Sequence, residues 1–136
     1  MEIKEIAASE TWPIRHKVMW PSKPLEFVVL PNDEEGLHFG LYEKEILVSV
    51  ISLFIDGQDG QFRKFATDIF FQRCGYGTIL LNYLIKESQR LNLKILKCNA
   101  RTTAIEFYQR FGMKITSEVF RKNGKDYVML ELDFEQ

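Results

Sequence analysis

The chain has few of the residues that tie a protein together covalently or fix it to a membrane. Cys74 and Cys98 are its two cysteines among 136 residues, and they stand in unrelated contexts. That excludes a disulfide scaffold and any cysteine metal-ligand spacing; both are expected to be reduced thiols and no metal is expected. Four prolines leave no proline-rich linker, and neither a repeat nor a low-complexity tract is present. The longest apolar run, Ile46 to Ile55, is too short to span a bilayer. Met1-Glu2-Ile3-Lys4 has no signal-peptide character, so a cytoplasmic protein without a membrane partner is expected. Neither sign of charge dominates: 18 Lys+Arg oppose 19 Asp+Glu, for a net −1. This gives no electrostatic case for nucleic acid as a partner.

What is present is apolar and aromatic substance, 46% and 13% of residues, enough for a single globular domain over residues 1–136. Glu2 to Ala8 alternates weakly and predicts a first strand. Ser9 is placed to cap a helix running to Trp20, which Pro21-Ser22-Lys23-Pro24 stops. Residues 25–34 stay ambiguous around a turn at Pro31-Asn32-Asp33. Leu37 to Tyr42 and Ile46 to Ile55 predict a hairpin about Glu43-Lys44, its second strand apolar enough to be covered on both faces. Gln61 to Phe70 is a further strand. Gly75 to Arg90 reads as a helix with Leu80, Leu81, Leu84 and Ile85 on one face. Leu93 to Asn99 is a short strand and Thr102 to Phe111 a helix closed by Gly112. Met113 to Phe120 and Lys125 to Phe134 form a hairpin about Asn123-Gly124. The pattern predicts an α/β chain with a mixed sheet and helices on both faces.

The most informative stretch is Gln72-Arg73-Cys74-Gly75-Tyr76-Gly77-Thr78, where a strand runs through a Gly-x-Gly turn into a helix. A helix start leaves backbone N–H groups without internal partners at the positive end of the dipole, a cradle for phosphate. A P-loop needs Gly-Lys-Ser/Thr, and no Lys follows Gly77. A dinucleotide fingerprint needs a third glycine where Leu80 stands, and an acidic residue where the next strand ends in Cys98-Asn99. A coenzyme A pyrophosphate site is the third reading.

The chain here resembles the GNAT N-acetyltransferase superfamily. Gln72-Arg73-Cys74-Gly75-Tyr76-Gly77 is similar to its Gln/Arg-x-x-Gly-x-Gly/Ala turn, and Phe65-Ala66-Thr67-Asp68 to the strand end before it. Ala104-Ile105-Glu106-Phe107-Tyr108-Gln109-Arg110-Phe111-Gly112-Met113 resembles the family's second motif. The element order also matches, so the resemblance covers essentially the whole chain. It implies the acyl-CoA N-acyltransferase fold and transfer of an acetyl group from acetyl-CoA to a primary amine, of a small molecule or a peptide, by direct attack in a ternary complex. A non-catalytic acyl-CoA-binding module on the same scaffold is the alternative.

The resemblance also implies site residues. Phe65, Ala66 and Thr67 would lend backbone groups to the pantetheine arm. Gln72, Arg73, Cys74, Gly75, Tyr76, Gly77 and Thr78 would form the pyrophosphate turn. Arg101 stands where many relatives have Asn, and either it or Asn99 would reach the coenzyme; a capping role for Asn99 and a solvated Arg101 are the plainer readings. Tyr108 would contact the coenzyme and supply a proton to the departing thiolate, with an N–H near Thr67 as oxyanion donor. No general base is evident among Asp68, His38 and Glu35: Asp68 is expected to cap its turn, and His38 is a surface or satisfied histidine unless it serves; deprotonation through water is the other route. Arg15, Trp20, His38 and Lys64 are the candidates for the acceptor side, with core packing of Trp20 and a surface Arg15 as the plainer alternatives. No acidic cluster suggests a polyamine, and no basic patch an acidic macromolecule. Whether the chain forms a homodimer is left open.

Overall fold

The computed structural model describes residues 1–135. It contains two compact units, one formed by Met1–Phe54 with Phe62–Leu84 and one by Ile55–Gln61 with the chain from Ile85 onward. The division falls inside two strands and one helix.

The first unit carries strands β1 (Glu2–Ile6), β2 (Leu37–Glu43), β3 (Ile46–Asp56) and the later part of β4 (Asp59–Thr67), in that spatial order. β1 and β3 both pair antiparallel with β2, setting His38 against Ile6 and Ser52. Every β3 residue from Val48 to Leu53 is buried, as its nearly unbroken apolar sequence predicts. The β2–β3 turn lies one residue later than expected. Lys44 (φ 50°) and Glu45 (φ 68°) occupy the left-handed region, which gives the tight twist of a two-residue hairpin without a glycine.

Helix α1 (Ala8–Met19) starts one residue ahead of the predicted Ser9 cap. Extended Ala7 caps it with no side-chain bond, so the first N–H groups have no side-chain acceptor there. Residues 25–34, unassigned from sequence, form two short 3-10 turns, Leu25–Val28 and Asp33–Glu35. β4 ends at Thr67, short of the predicted Phe70. Asp68 breaks it by accepting from the Phe70 N–H at 3.0 Å and starting a 3-10 turn, Ile69–Phe71. Helix α2 (Tyr76–Arg90) follows its predicted periodicity. Leu80, Leu81 and Leu84 are completely buried, each contributing about 2 kcal/mol of apolar transfer free energy. Ile14, Val50 and Ala66 form a further core cluster, joined by Ile6, Val18, Met19 and Leu47.

In the second unit the start of β4 pairs parallel with β5 (Ile95–Arg101), from Asp59↔Ile95 to Gln61↔Lys97. β5 then pairs antiparallel with β8 (Lys125–Asp133). The predicted strand 113–120 is split into β6 (Lys114–Ile115) and β7 (Phe120–Lys122), both on β8. Ser117 causes the break: its Oγ accepts the Met129 N–H at 2.8 Å, replacing a ladder bond with a side-chain one. The β7–β8 turn is the predicted Asn123-Gly124 pair, at φ 51° and 78°. The predicted helix 102–111 is shorter. A 3-10 turn (Thr102–Ala104) leads into α3 (Ile105–Gln109), and Gly112 at φ 91° follows it. The parallel β4–β5 pair among antiparallel neighbours makes this a mixed α/β chain.

Candidate active site

The turn at residues 72–78 is built from the end of β4. The Asp68 N–H donates to Val48 O at 2.8 Å, so the residue-68 peptide faces β3. Strand alternation then turns Ala66 toward β3 and Phe65 and Thr67 toward the opposite edge. Ala66 O accordingly accepts from buried Ser49 Oγ at 3.2 Å. Of the three residues expected to lend backbone groups, the pleat therefore directs Ala66 away from that edge. Ser49 Oγ also lies 2.8 Å from Thr67 Oγ1, fixing the threonine side chain. Thr67 O accepts from Gln72 Nε2 at 2.9 Å, so Gln72 ties the turn back onto the strand.

Two left-handed residues shape the turn, Arg73 at φ 63° and Gly75 at φ 87°. An added Cβ at Gly75 would meet nothing within 4 Å, so backbone conformation, not space, calls for glycine there. At Gly77 a Cβ would touch Phe65 Cζ at 3.4 Å and Thr67 Oγ1 at 3.7 Å. The first α2 amide with an internal partner is that of Ile79, which donates to Gly75 O at 3.1 Å. Among the described residues, the backbone N–H groups of Arg73, Cys74, Gly75, Tyr76, Gly77 and Thr78 make no hydrogen bond. Unbonded amides at the start of a fifteen-residue helix are donors of the kind that suit an anion. The donor set fits a pyrophosphate. The exposed Cys74 thiol donates to Gln72 O at 3.5 Å.

Asp68 caps its turn as expected. The Phe70 N–H holds its carboxyl below the ordinary value, burial opposes this, and Lys17 at 3.1 Å adds to it. His38 is buried and engaged at both ring nitrogens, 2.7 Å from Ser52 Oγ and 2.6 Å from Asp33 O. It stands level with Ser52 on β3, whereas Asp68 is level with Val48. That separation along β3 is roughly 13 Å, so His38 is not beside the turn.

Arg15, expected at the surface or on an acceptor, has no exposed surface. Its guanidinium donates to both Asp33 oxygens (2.8 and 2.9 Å), Val28 O (3.0 Å) and Ser52 Oγ (2.9 Å). An acceptor carboxylate cannot reach it. Burial alone would raise the Asp33 carboxyl, but Arg15, the Leu30 N–H and Trp12 Nε1 outweigh it and hold it below the ordinary value. Trp20 is half-buried with its ring edge-on to Phe27 at 5.1 Å. Lys64 is a half-buried β4 residue at φ 55°.

In the second unit, Asn99 and Arg101 lie on the exposed side of β5, alternating with buried Cys98 and Ala100. Asn99 sits within the strand opposite Met129, so it caps no helix. Arg101 precedes the 3-10 turn without a side-chain capping bond. Tyr108 is half-buried on α3 with Phe107 edge-on at 5.1 Å. Burial pushes its phenol well above the ordinary value, and Cys98 adds to this. Burial likewise pushes the Cys98 thiol to about 12, which makes it inert. Three partners escaped sequence reasoning: Asp33, seen only as part of a turn, and Ser49 and Ser52, which look like interruptions of an apolar strand.

Residues 16–134 match the family described as acetyltransferase (GNAT) domain. The uncharacterized N-acetyltransferase YitI of Bacillus subtilis is 24% identical over 129 residues, covering 88% of this chain and 87% of that protein. The ribosomal-protein-S18-alanine N-acetyltransferase of Escherichia coli superposes with a TM-score of 0.84 at 18% identity, over 97% of this chain and 92% of that one. A GNAT family acetyltransferase from Elizabethkingia anophelis, solved with acetyl-CoA bound, superposes with a TM-score of 0.77 at 20% identity, over 98% and 97% of the two chains. With its acyl-CoA N-acyltransferase fold and a match over most of its length, the chain belongs to the GNAT acetyltransferase family.

Proposed function

We propose that the chain transfers an acetyl group from acetyl-CoA to a primary amine of a small molecule or peptide, by direct attack in a ternary complex. The observation that carries this reading is the run of unbonded amides from Arg73 to Thr78. They offer directed donors and the positive end of α2 to the coenzyme's pyrophosphate. Gln72 serves the turn by bracing it, and Phe65 and Thr67 turn their peptide groups to the edge of β4 away from β3.

Bound acetyl-CoA supplies the activated thioester, whose carbon–sulfur bond breaks as the amine nitrogen bonds to the acetyl carbon. The Thr67 N–H is assigned to the carbonyl oxygen of that group. Tyr108 is assigned the proton for the leaving sulfur. Its phenol carries its proton at neutral pH, and burial, by raising its pKa, makes it a weak acid suited to a hydrogen bond to the departing sulfur. Asn99 and Arg101 are coenzyme contacts in this reading, and Lys64 and Trp20 remain candidates toward the acceptor. Arg15 and His38 are not used, because both are buried in hydrogen bonds of their own. With His38 and Asp68 engaged, the proton of the amine leaves through water.

The test is turnover of acetyl-CoA against a panel of primary amines, read as release of free thiol, together with the effect of CoA on thermal stability. The reading expects thiol release dependent on one class of amine and a raised Tm with CoA. A raised Tm with no turnover on any amine would favour the non-catalytic acyl-CoA-binding alternative. No stabilisation by any CoA species would contradict both.

A further inference from the structure

We propose that Glu43 and Tyr76 form a tether that holds the pyrophosphate turn in its binding geometry, with Glu43 acting as a positioning residue from the β2–β3 hairpin. The proposal rests on the reading that coenzyme A binds at residues 73–78. Tyr76 is the first residue of α2, and its own N–H is one of the unbonded amides. Its hydroxyl donates to Glu43 Oε2 at 2.9 Å, across 33 residues of sequence. Phe71 packs edge-on against the same ring at 6.1 Å, which limits the directions open to it.

The other side-chain bonds of the turn are local. Gln72 reaches back to Thr67 O, and Cys74 to Gln72 O. The Tyr76–Glu43 bond is the one that fastens the start of α2 to a different element, among the hydrogen bonds of residues 72–78 that the structure describes. A helix's first turn frays readily, and Gln72 to Gly75 are exposed, so the amides need such an anchor to stay converged. Glu43 closes β2, next to the tight Lys44-Glu45 turn, and the Met1 amino group lies 3.5 Å from its other oxygen. The titration shifts agree with a phenol donating to a carboxylate: the bond from Tyr76 lowers Glu43, and the same bond raises Tyr76. A charge-assisted bond is stronger than a neutral one. Amides ordered before the ligand arrives lose less freedom on binding.

The experiment is isothermal titration of CoA and of 3′-dephospho-CoA into the wild type, Tyr76→Phe, Glu43→Ala, Glu43→Gln and the Tyr76→Phe/Glu43→Ala double variant, with calorimetry to establish folding. The tether predicts that Kd rises about 5- to 10-fold in Tyr76→Phe and in Glu43→Ala, the ordering cost returning to the binding step. The double variant should lose no more than either single one. Glu43→Gln, which keeps a carbonyl acceptor, should recover most of the affinity, and the factors should be equal for the two ligands. Unchanged or tighter binding in folded variants, additive losses, or a loss confined to CoA would overturn the tether. Failure of the wild type to bind either ligand would instead overturn the coenzyme reading, and the tether's role with it.

Discussion

Arg15 and Asp33 face each other through two hydrogen bonds, of 2.8 and 2.9 Å, with 0% and 3% of their surfaces exposed. The pair joins α1 to the 3-10 turn at Asp33–Glu35 and, through Ser52, to β3. Removing one partner of such a pair leaves a buried charge without compensation, at a cost of about 3–5 kcal/mol. Asp33→Ala is therefore expected to lower unfolding free energy by about that amount, measured by denaturant titration. A loss below about 1 kcal/mol would show that water or another group takes over the carboxylate's role.

The same carboxylate predicts an acid dependence. Its folded pKa is depressed below the ordinary 3.8. Its contribution is thus fully present above that unfolded value and is lost as pH falls through the folded one. Unfolding free energy measured from about pH 5 down to about pH 2 should fall less steeply in Asp33→Asn than in the wild type. Asp68 and Glu43 shift in the same direction, but both are more exposed and their effect is more screened. Equal slopes in the two proteins would contradict the role given to Asp33.

Tyr108→Phe keeps the ring and its contact with Phe107 while removing the hydroxyl to which the proposal assigns the leaving sulfur's proton. A thiolate is a good leaving group and needs limited help, so kcat should fall by about 10- to 100-fold, with CoA affinity little changed. The measurement is kcat and CoA affinity of both forms on an accepted amine. Equal kcat at saturating substrate would return Tyr108 to core packing.

Cys74 lies in the turn through its backbone, with its thiol exposed and no histidine beside it among the described residues. Cys74→Ala should retain most turnover and coenzyme affinity. Loss of turnover with affinity intact would point to a covalent acyl-cysteine route.

The elements with a strong local signal were legible in the sequence. The α2 leucines, the unbroken β3 run and Asn123-Gly124 each carry their own pattern. The elements set by side chains from afar were not. Ser117 splits a predicted strand by bonding to Met129, twelve residues away, and Asp68 ends β4 early by capping its own turn. Arg15 illustrates the limit most clearly: an arginine on a helix reads as a surface charge until Asp33, eighteen residues on, is folded against it. The unbonded amides of residues 73–78 were legible because a helix start leaves its backbone donors without partners, and the glycine at position 75 marks the turn. The acceptor side depends on which long side chains remain uncommitted after folding, and no spacing rule encodes that.

The central claim is that coenzyme A is held by its pyrophosphate on the amides of residues 73–78, and Gly77→Glu tests it most directly. A Cβ at Gly77 would lie in van der Waals contact with Phe65 and Thr67, and a glutamate there brings a side chain and a like charge into the turn that carries the amides. Titration calorimetry of CoA into the folded variant should detect no binding under conditions where the wild type binds. CoA affinity equal to that of the wild type in a folded Gly77→Glu protein would contradict the account.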